Sequence, residues 1–234
     1  MQHFETHEIR DLAEVQVHAR PPKYPRPLQP NLPRMYWVGL WCGARGTGKT
    51  WSCVELLTAY ETYGIASQYS GQKMPQRIIL FSPTIDANPV FRSLKWLDDD
   101  DIHTNYSDHM LLQVVDDVKS ETDEVKEYQK EKKIYDKFVK DKRLTTEEIM
   151  IIEKLDYNPP QPPKYPDGRC VFIVLDDLIG SSAFKATGKS ALTNLVLKNR
   201  HLGVCIAVLG QNLRAIPRSI RMNVSVYVLS LIHI

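Results

Sequence analysis

The chain has 234 residues, enough for one α/β domain with a sizeable core and too few for two full domains of ordinary size. Its 30 Lys and Arg against 28 Asp and Glu leave a formal charge of +2, so no global field advertises a nucleic-acid partner and any such contact is local. Cys42, Cys53, Cys170 and Cys205 form no C-x-x-C pair and have no histidine at zinc spacing, which argues against a zinc module and predicts reduced, buried thiols. The N-terminus lacks a basic start followed by an apolar stretch, and no apolar run approaches the roughly 20 residues that span a bilayer. The expectation is a soluble protein of the cell interior with no membrane partner.

Residues 1–34 read as a proline-rich N-terminal arm. Pro21, Pro22, Pro25, Pro27, Pro30 and Pro33 fix φ repeatedly and remove donors, which predicts an extended leader that acts as a spacer or lies against a neighbour. The domain proper is expected over 35–234. It opens with a strand at 35–42, a glycine-rich turn, and a helix at 49–63 closed by Gly64. Continuous apolar runs at 77–82, ended by Pro83, and at 170–176 have the character of parallel strands covered on both faces, and 203–210 and 224–231 supply two more. Strands alternating with helical stretches predict an α/β fold, a mainly parallel sheet with helices on both faces.

The segment from about 94 to 166 is richer in Lys, Glu and Asp and reads as a helical insertion. Leu111, Val114, Val118, Val125, Tyr128, Tyr135 and Phe138 recur at helical spacing along one stripe. Thr145 with Glu148 forms a capping box, so a second helix begins there and ends before Pro159, followed by the return NPPQPPKYPDG. Asp98 to Asp101 read as a loop and helix start rather than a metal site. The last residues, LSLIHI, resemble translated sequencing adapter, so the natural protein is expected to differ there and the last strand to be only partly authentic.

Gly43-Ala44-Arg45-Gly46-Thr47-Gly48-Lys49-Thr50 fits G-x-x-x-x-G-K-[ST] in full, between an apolar strand and a helix. The glycines let backbone N–H groups turn inward around an anion, and the helix N-terminus adds its positive dipole end. Lys49 is placed to reach the β and γ phosphates, and the Thr50 hydroxyl to ligate Mg²⁺. The candidate nucleotide-binding set is Gly43, Ala44, Arg45, Gly46, Thr47, Gly48, Lys49, Thr50 and the adjoining Trp51, with Arg45 expected to face solvent or a subunit. Gly188-Lys189-Ser190 is a decoy: Ala183 stands where the loop needs glycine, and Ser190 instead opens a helix running to Lys198.

The second half of the site is Val171 to Asp177, an apolar strand ending in two carboxylates. Alone, such a pair can cap the next helix. Beside a phosphate loop, Asp176 suits Mg²⁺ and Asp177 suits polarising an attacking water, which together imply an ATP site with Mg²⁺. Gln211 ends the strand after the acidic one, either as a sensor of the γ-phosphate or as a polar residue meeting water. The sensor role requires that strand to lie between the phosphate-loop strand and the acidic strand, the order of motor-type P-loop proteins. Arg200 stands at the other end of the same strand, out of reach of its own subunit's phosphates. It is either a finger for a neighbour's nucleotide or a helix-end arginine. Arg214, Arg218 and Arg221 form a local basic group that could meet DNA phosphate, a neighbour, or nothing.

RGTGKT, RIILFSPT with the following Asn88-Pro89, FIVLDD, NRHLGVCIAVLGQN and IRMN together resemble the genome-packaging ATPases of large double-stranded DNA viruses and related self-synthesising elements, within the FtsK/HerA group of ring motors. The likeness runs over about 36–228. It implies a homo-oligomeric ring that uses ATP to translocate double-stranded viral DNA into a preformed capsid, with a capsid or portal-like protein as partner, in the host cytoplasm or a viral factory. By position it assigns Lys49 and Thr50 to the nucleotide, Asp176 and Asp177 to metal and water, Gln211 to sensing and Arg200 to the finger. Two other readings remain: an ATPase that assembles or exports protein particles, and a nucleotide-binding scaffold that hydrolyses little because Asp177 is shorter than the glutamate usual in motors.

Overall fold

A computed structural model of the chain describes residues 24–178, 180–184 and 190–229. The strands are β1 Arg26–Pro27, β2 Val38–Cys42, β3 Ile65–Ala66, β4 Gln76–Phe81, β5 Ile102–His103, β6 Cys170–Asp176, β7 Val204–Gly210 and β8 Val226–Leu229. The helices are α1 Lys49–Tyr63, α2 Asp108–Val139, α3 Thr146–Lys154, α4 Ala191–Leu202 and the single turn α5 Arg218–Arg221. Six strands form one parallel sheet in the order β5-β4-β6-β7-β2-β8. β7 therefore lies between the phosphate-loop strand β2 and the acidic strand β6, as the motor-type order requires.

The central strands are buried on both faces because both kinds of side chain along them are apolar, and alternation splits them into two cores. Leu40, Phe81, Ile173, Ile206 and Val208 pack with Leu111, Val114 and Val118 of α2 and with Leu192, Leu195 and Val196 of α4. Trp41, Leu80, Phe172, Val174 and Ala207 pack on the other face with Cys53, Val54, Leu57 and Tyr60 of α1. Gly39 is required where the two tryptophans close over the strand: a Cβ there would stand 2.5 Å from Trp41 Cζ3 and 2.9 Å from Trp37 Cζ3. Trp37 is held in turn, its Nε1 donating to Tyr60 Oη at 3.0 Å, while Tyr60 Oη donates to the Pro33 carbonyl at 2.6 Å.

Three expectations are modified. The first strand begins at Val38, because Tyr36 takes a left-handed φ of 64° and its carbonyl instead accepts from Asn199 Nδ2. The arm is described only from Tyr24, and there it is more than a spacer, since β1 pairs antiparallel with β3. The last strand is β8, and 230–234 lie outside the described residues, as do 1–23. The capping box at Thr145 and Glu148 forms as expected, and α3 ends at Lys154, before Pro159.

The polar segment read as an insertion is, over its first turns, a core element. Ser107 caps α2 by accepting from the Met110 N–H, and Leu111, Val114 and Val118 then cover the sheet beside α4. α2 leaves the sheet at Glu121, which meets Arg169 just before β6 in a two-pronged ion pair (2.6 and 2.7 Å) and lies 3.9 Å from Arg77 of β4. Arg77 also pairs with Asp101 at 2.7 Å, so the aspartate run is a short turn whose last residue anchors the sheet edge. Beyond that point α2 contacts the return loop, with Gln129 Nε2 donating to the Pro166 carbonyl, and then α3, where Lys137 pairs with Glu148 and Ile134 and Ile152 are both buried.

Candidate nucleotide site

The phosphate loop leaves β2 at the carboxyl edge of the sheet, where the Gly43 N–H donates to the Gly210 carbonyl of β7 at 3.3 Å. Gly46 and Gly48 both take φ of 78°, and a Cβ on either would meet open space, so their conformation rather than crowding calls for glycine. Thr47 Oγ1 and Lys49 Nζ both donate to the Ala44 carbonyl, at 2.8 and 2.9 Å, which braces the loop from inside. Among the described residues, no backbone N–H from Ala44 to Trp51 finds a protein acceptor. The next, Ser52, is the first to do so, donating to the Gly48 carbonyl at 2.9 Å. α1 has no side-chain cap and no acidic residue in its first turn, so nothing competes with an anion for these donors.

Asp176 closes β6 opposite Leu209 of β7, and Gln211 follows β7 directly, so the acidic strand and the polar residue meet at the same edge as the loop. Asp177 turns back with φ of 50°, a left-handed conformation that Asp tolerates, and its Oδ1 accepts from Gln211 Nε2 at 3.1 Å. Asp176 is buried, and its Oδ2 accepts from Ser82 Oγ at 3.1 Å. Burial holds the Asp176 carboxyl above the usual carboxylate range, as does neighbouring Asp177, while Ser82 and Lys49 pull it back. The donor set of Thr50 hydroxyl and Asp176 carboxylate is hard oxygen, and a buried carboxylate with one protein donor has acceptor capacity left, both of which fit Mg²⁺. Among the described residues no group of three His, Cys, Asp or Glu side chains gathers at a metal-binding spacing.

Lys49, Thr50, Asp176, Asp177 and Gln211 are thus brought to one edge. Arg200 is not: it is exposed near the end of α4, and with Arg34, Tyr36 and Ser225 it lines a cavity of about 400 Å³ at the opposite end of the sheet. Arg45, Arg214 and Arg218 are exposed, whereas Arg221 Nε donates to the Ile216 carbonyl. Of the decoy, Gly188 and Lys189 lie outside the described residues, and Ser190 caps α4 by accepting from the Thr193 N–H. All four cysteines are free and buried, and burial pushes the Cys205 thiol up to about 12. Ser82 is the site residue that sequence reasoning missed. It stands one position past β4, and its sole sequence signal is a polar residue closing the run RIILFS.

The fold and this site define a P-loop NTPase with a strand inserted between the phosphate-loop and acidic strands. No protein-family model matches the chain, and no curated protein matches it. Among solved structures it is similar to an ATPase (TM-score 0.44, 11% identity, covering 80% of this chain and 62% of that one). It is similar also to the genome packaging NTPase B204 of Sulfolobus turreted icosahedral virus 2 in complex with AMP (TM-score 0.45, 9% identity, 85% and 76%). A third likeness is to EssC, ATPases 2 and 3, of Geobacillus thermodenitrificans (TM-score 0.47, 11% identity, 83% and 32%). The chain therefore spans less than two thirds of the first of these and about a third of the EssC structure. Among the described residues, no helix is long and apolar enough to cross a membrane.

Proposed function

We propose that this chain is an ATP-hydrolysing motor of the FtsK/HerA type that translocates double-stranded viral DNA into a preformed capsid, acting as a homo-oligomeric ring. The observation that carries the hydrolytic part is the convergence of free amides from Ala44 to Trp51 with Asp176, Asp177 and Gln211 at one sheet edge. The DNA substrate and the capsid or portal-like partner rest on the resemblance of the motif series from RGTGKT to IRMN.

In this reading the loop amides hold the phosphates, and Lys49 exchanges the Ala44 carbonyl for the β and γ phosphate oxygens. Thr50 and Asp176 would hold Mg²⁺, which when bound neutralises charge on the transferring phosphoryl group. Asp177 orients the attacking water. Gln211 holds the Asp177 carboxylate through its amide and, following the strand between loop and acidic residue, registers the γ-phosphate in this reading. Arg200, remote from its own site, serves a neighbour's nucleotide across the ring interface.

The test is steady-state ATP hydrolysis by the full chain, with and without double-stranded DNA, at low and moderate salt, beside Lys49→Ala. Turnover that DNA stimulates, that weakens with salt and that vanishes in the variant is the expected result. Turnover indifferent to DNA would sink the translocation reading and turn attention to assembly or export of protein particles. ATP binding without turnover in a formed ring would leave only the scaffold.

A further inference from the structure

The run of free amides in the phosphate loop ends at Trp51, whose side chain is among the most exposed of the large apolar residues at 61%. An indole left in water forgoes the burial that tryptophan usually gains, so its surroundings call for an explanation. The two tryptophans of β2 and its approach, Trp37 and Trp41, are by contrast 3% and 1% exposed. Trp51 is also fixed rather than free: its Nε1 donates to Glu55 Oε1, one helical turn on, at 2.7 Å. That bond uses the polar edge of the ring and leaves its faces uncommitted, and no aromatic partner stacks on it among the described residues.

The order of the site gives the direction in which a nucleotide runs along the loop. Asp176 ends β6, Asp177 follows it and Gln211 follows β7, all on one side of β2. They mark where the γ-phosphate, metal and water belong, together with Lys49. A nucleotide laid along the amides with its γ-phosphate there has its α-phosphate toward the last free donor, the Trp51 N–H. The ribose and base follow beyond it. We propose that the Trp51 indole is the platform on which the purine base of the bound nucleotide stacks, with Glu55 holding the ring in place. The proposal rests on the nucleotide reading of the loop and adds the residue that recognises the base. Stacking is tolerant of base identity, since every base offers a π-face, so the platform contributes affinity for a nucleoside over bare phosphate more than choice among bases.

Calorimetric titrations of the wild-type chain, Trp51→Phe and Trp51→Ala with ATP and with inorganic triphosphate test it. Trp51 is exposed, so neither substitution disturbs the core. Base–aromatic stacking by alanine substitution predicts a loss in ATP affinity of at least about fivefold in Trp51→Ala. Trp51→Phe retains most of the affinity, and triphosphate binds all three proteins equally because it has no base. If Trp51→Ala binds ATP as the wild type does, the platform is overturned while the phosphate loop stands. If it loses ATP and triphosphate in equal measure, Trp51 shapes the loop instead and the proposal also fails. A wild-type chain that binds neither ligand would overturn the nucleotide reading along with it.

Discussion

Replacing Ser82 by alanine removes the hydroxyl that donates to Asp176 Oδ2 across 3.1 Å, at a place where Ser82 is 1% and Asp176 6% exposed. No other protein donor reaches that carboxylate among the described residues, so the variant leaves it buried without a hydrogen-bond donor. A hydrogen bond to a charged group contributes about 1.5–3 kcal/mol, and about 1.4 kcal/mol is tenfold in an equilibrium constant. Water entering the vacated space recovers part of this, so the expected effect lies near the lower end, about a tenfold rise in the Mg²⁺ concentration that half-saturates ATP hydrolysis. The assay is turnover at saturating ATP against titrated Mg²⁺, with ATP binding in chelator as control. Binding without metal stays as in the wild type, and Ser82→Thr, which keeps a hydroxyl, recovers most of the metal response. A Mg²⁺ curve for Ser82→Ala that superimposes on the wild type would refute the assignment of Ser82 as the residue that positions Asp176.

Three further outcomes are expected. Gly39→Ala forces a methyl to within 2.5 Å of Trp41, whose ring is fully packed, so it costs about 1–3 kcal/mol and lowers the melting temperature by several degrees; an unchanged melt would mean that the rings move cheaply. Glu61 is raised above its ordinary range by burial, against donation from the Trp96 N–H. A raised folded pKa favours the neutral form, so stability from this group is present below its unfolded pKa and is lost as pH rises through the folded value. Glu61→Gln should therefore melt higher than wild type at neutral pH and level with it in acid, and the opposite order in thermal melts across pH would show the carboxylate to be the favoured form. Arg200→Ala should bind ATP normally yet lose turnover in the assembled ring, whereas undiminished turnover there would remove the finger role.

The phosphate loop and the acidic strand were legible because each is a contiguous run whose chemistry shows in its spelling. The strand order followed from Gln211, a single polar residue at the end of an apolar run, and the parallel sheet places β7 where that inference put it. Ser82 was not legible, since its partner Asp176 lies 94 positions away and nothing in periodicity encodes a contact between two strand ends. The double role of α2 was hidden for a different reason. Its apolar stripe runs unbroken past Glu121, so the pattern gives no sign that Leu111 to Val118 cover the sheet while Ile134 lies outside that core. The acidic and basic residues around that stripe suggested an insertion, yet Glu121, Arg77 and Arg169 are the pins that hold the helix to the sheet.

That pinning gives α2 the mechanics of an oar in its lock. The inboard end lies on the sheet among core side chains, the fulcrum is the Glu121 ion-pair cluster, and the outboard end extends about 27 Å further at ~1.5 Å per residue. A tilt of about 10° at the fulcrum sweeps the outer end through about 5 Å over that length. The outer end lies away from the nucleotide edge, because Arg77 and Arg169 stand where β4 and β6 begin, so a tilt at that point would register on the far side of the domain.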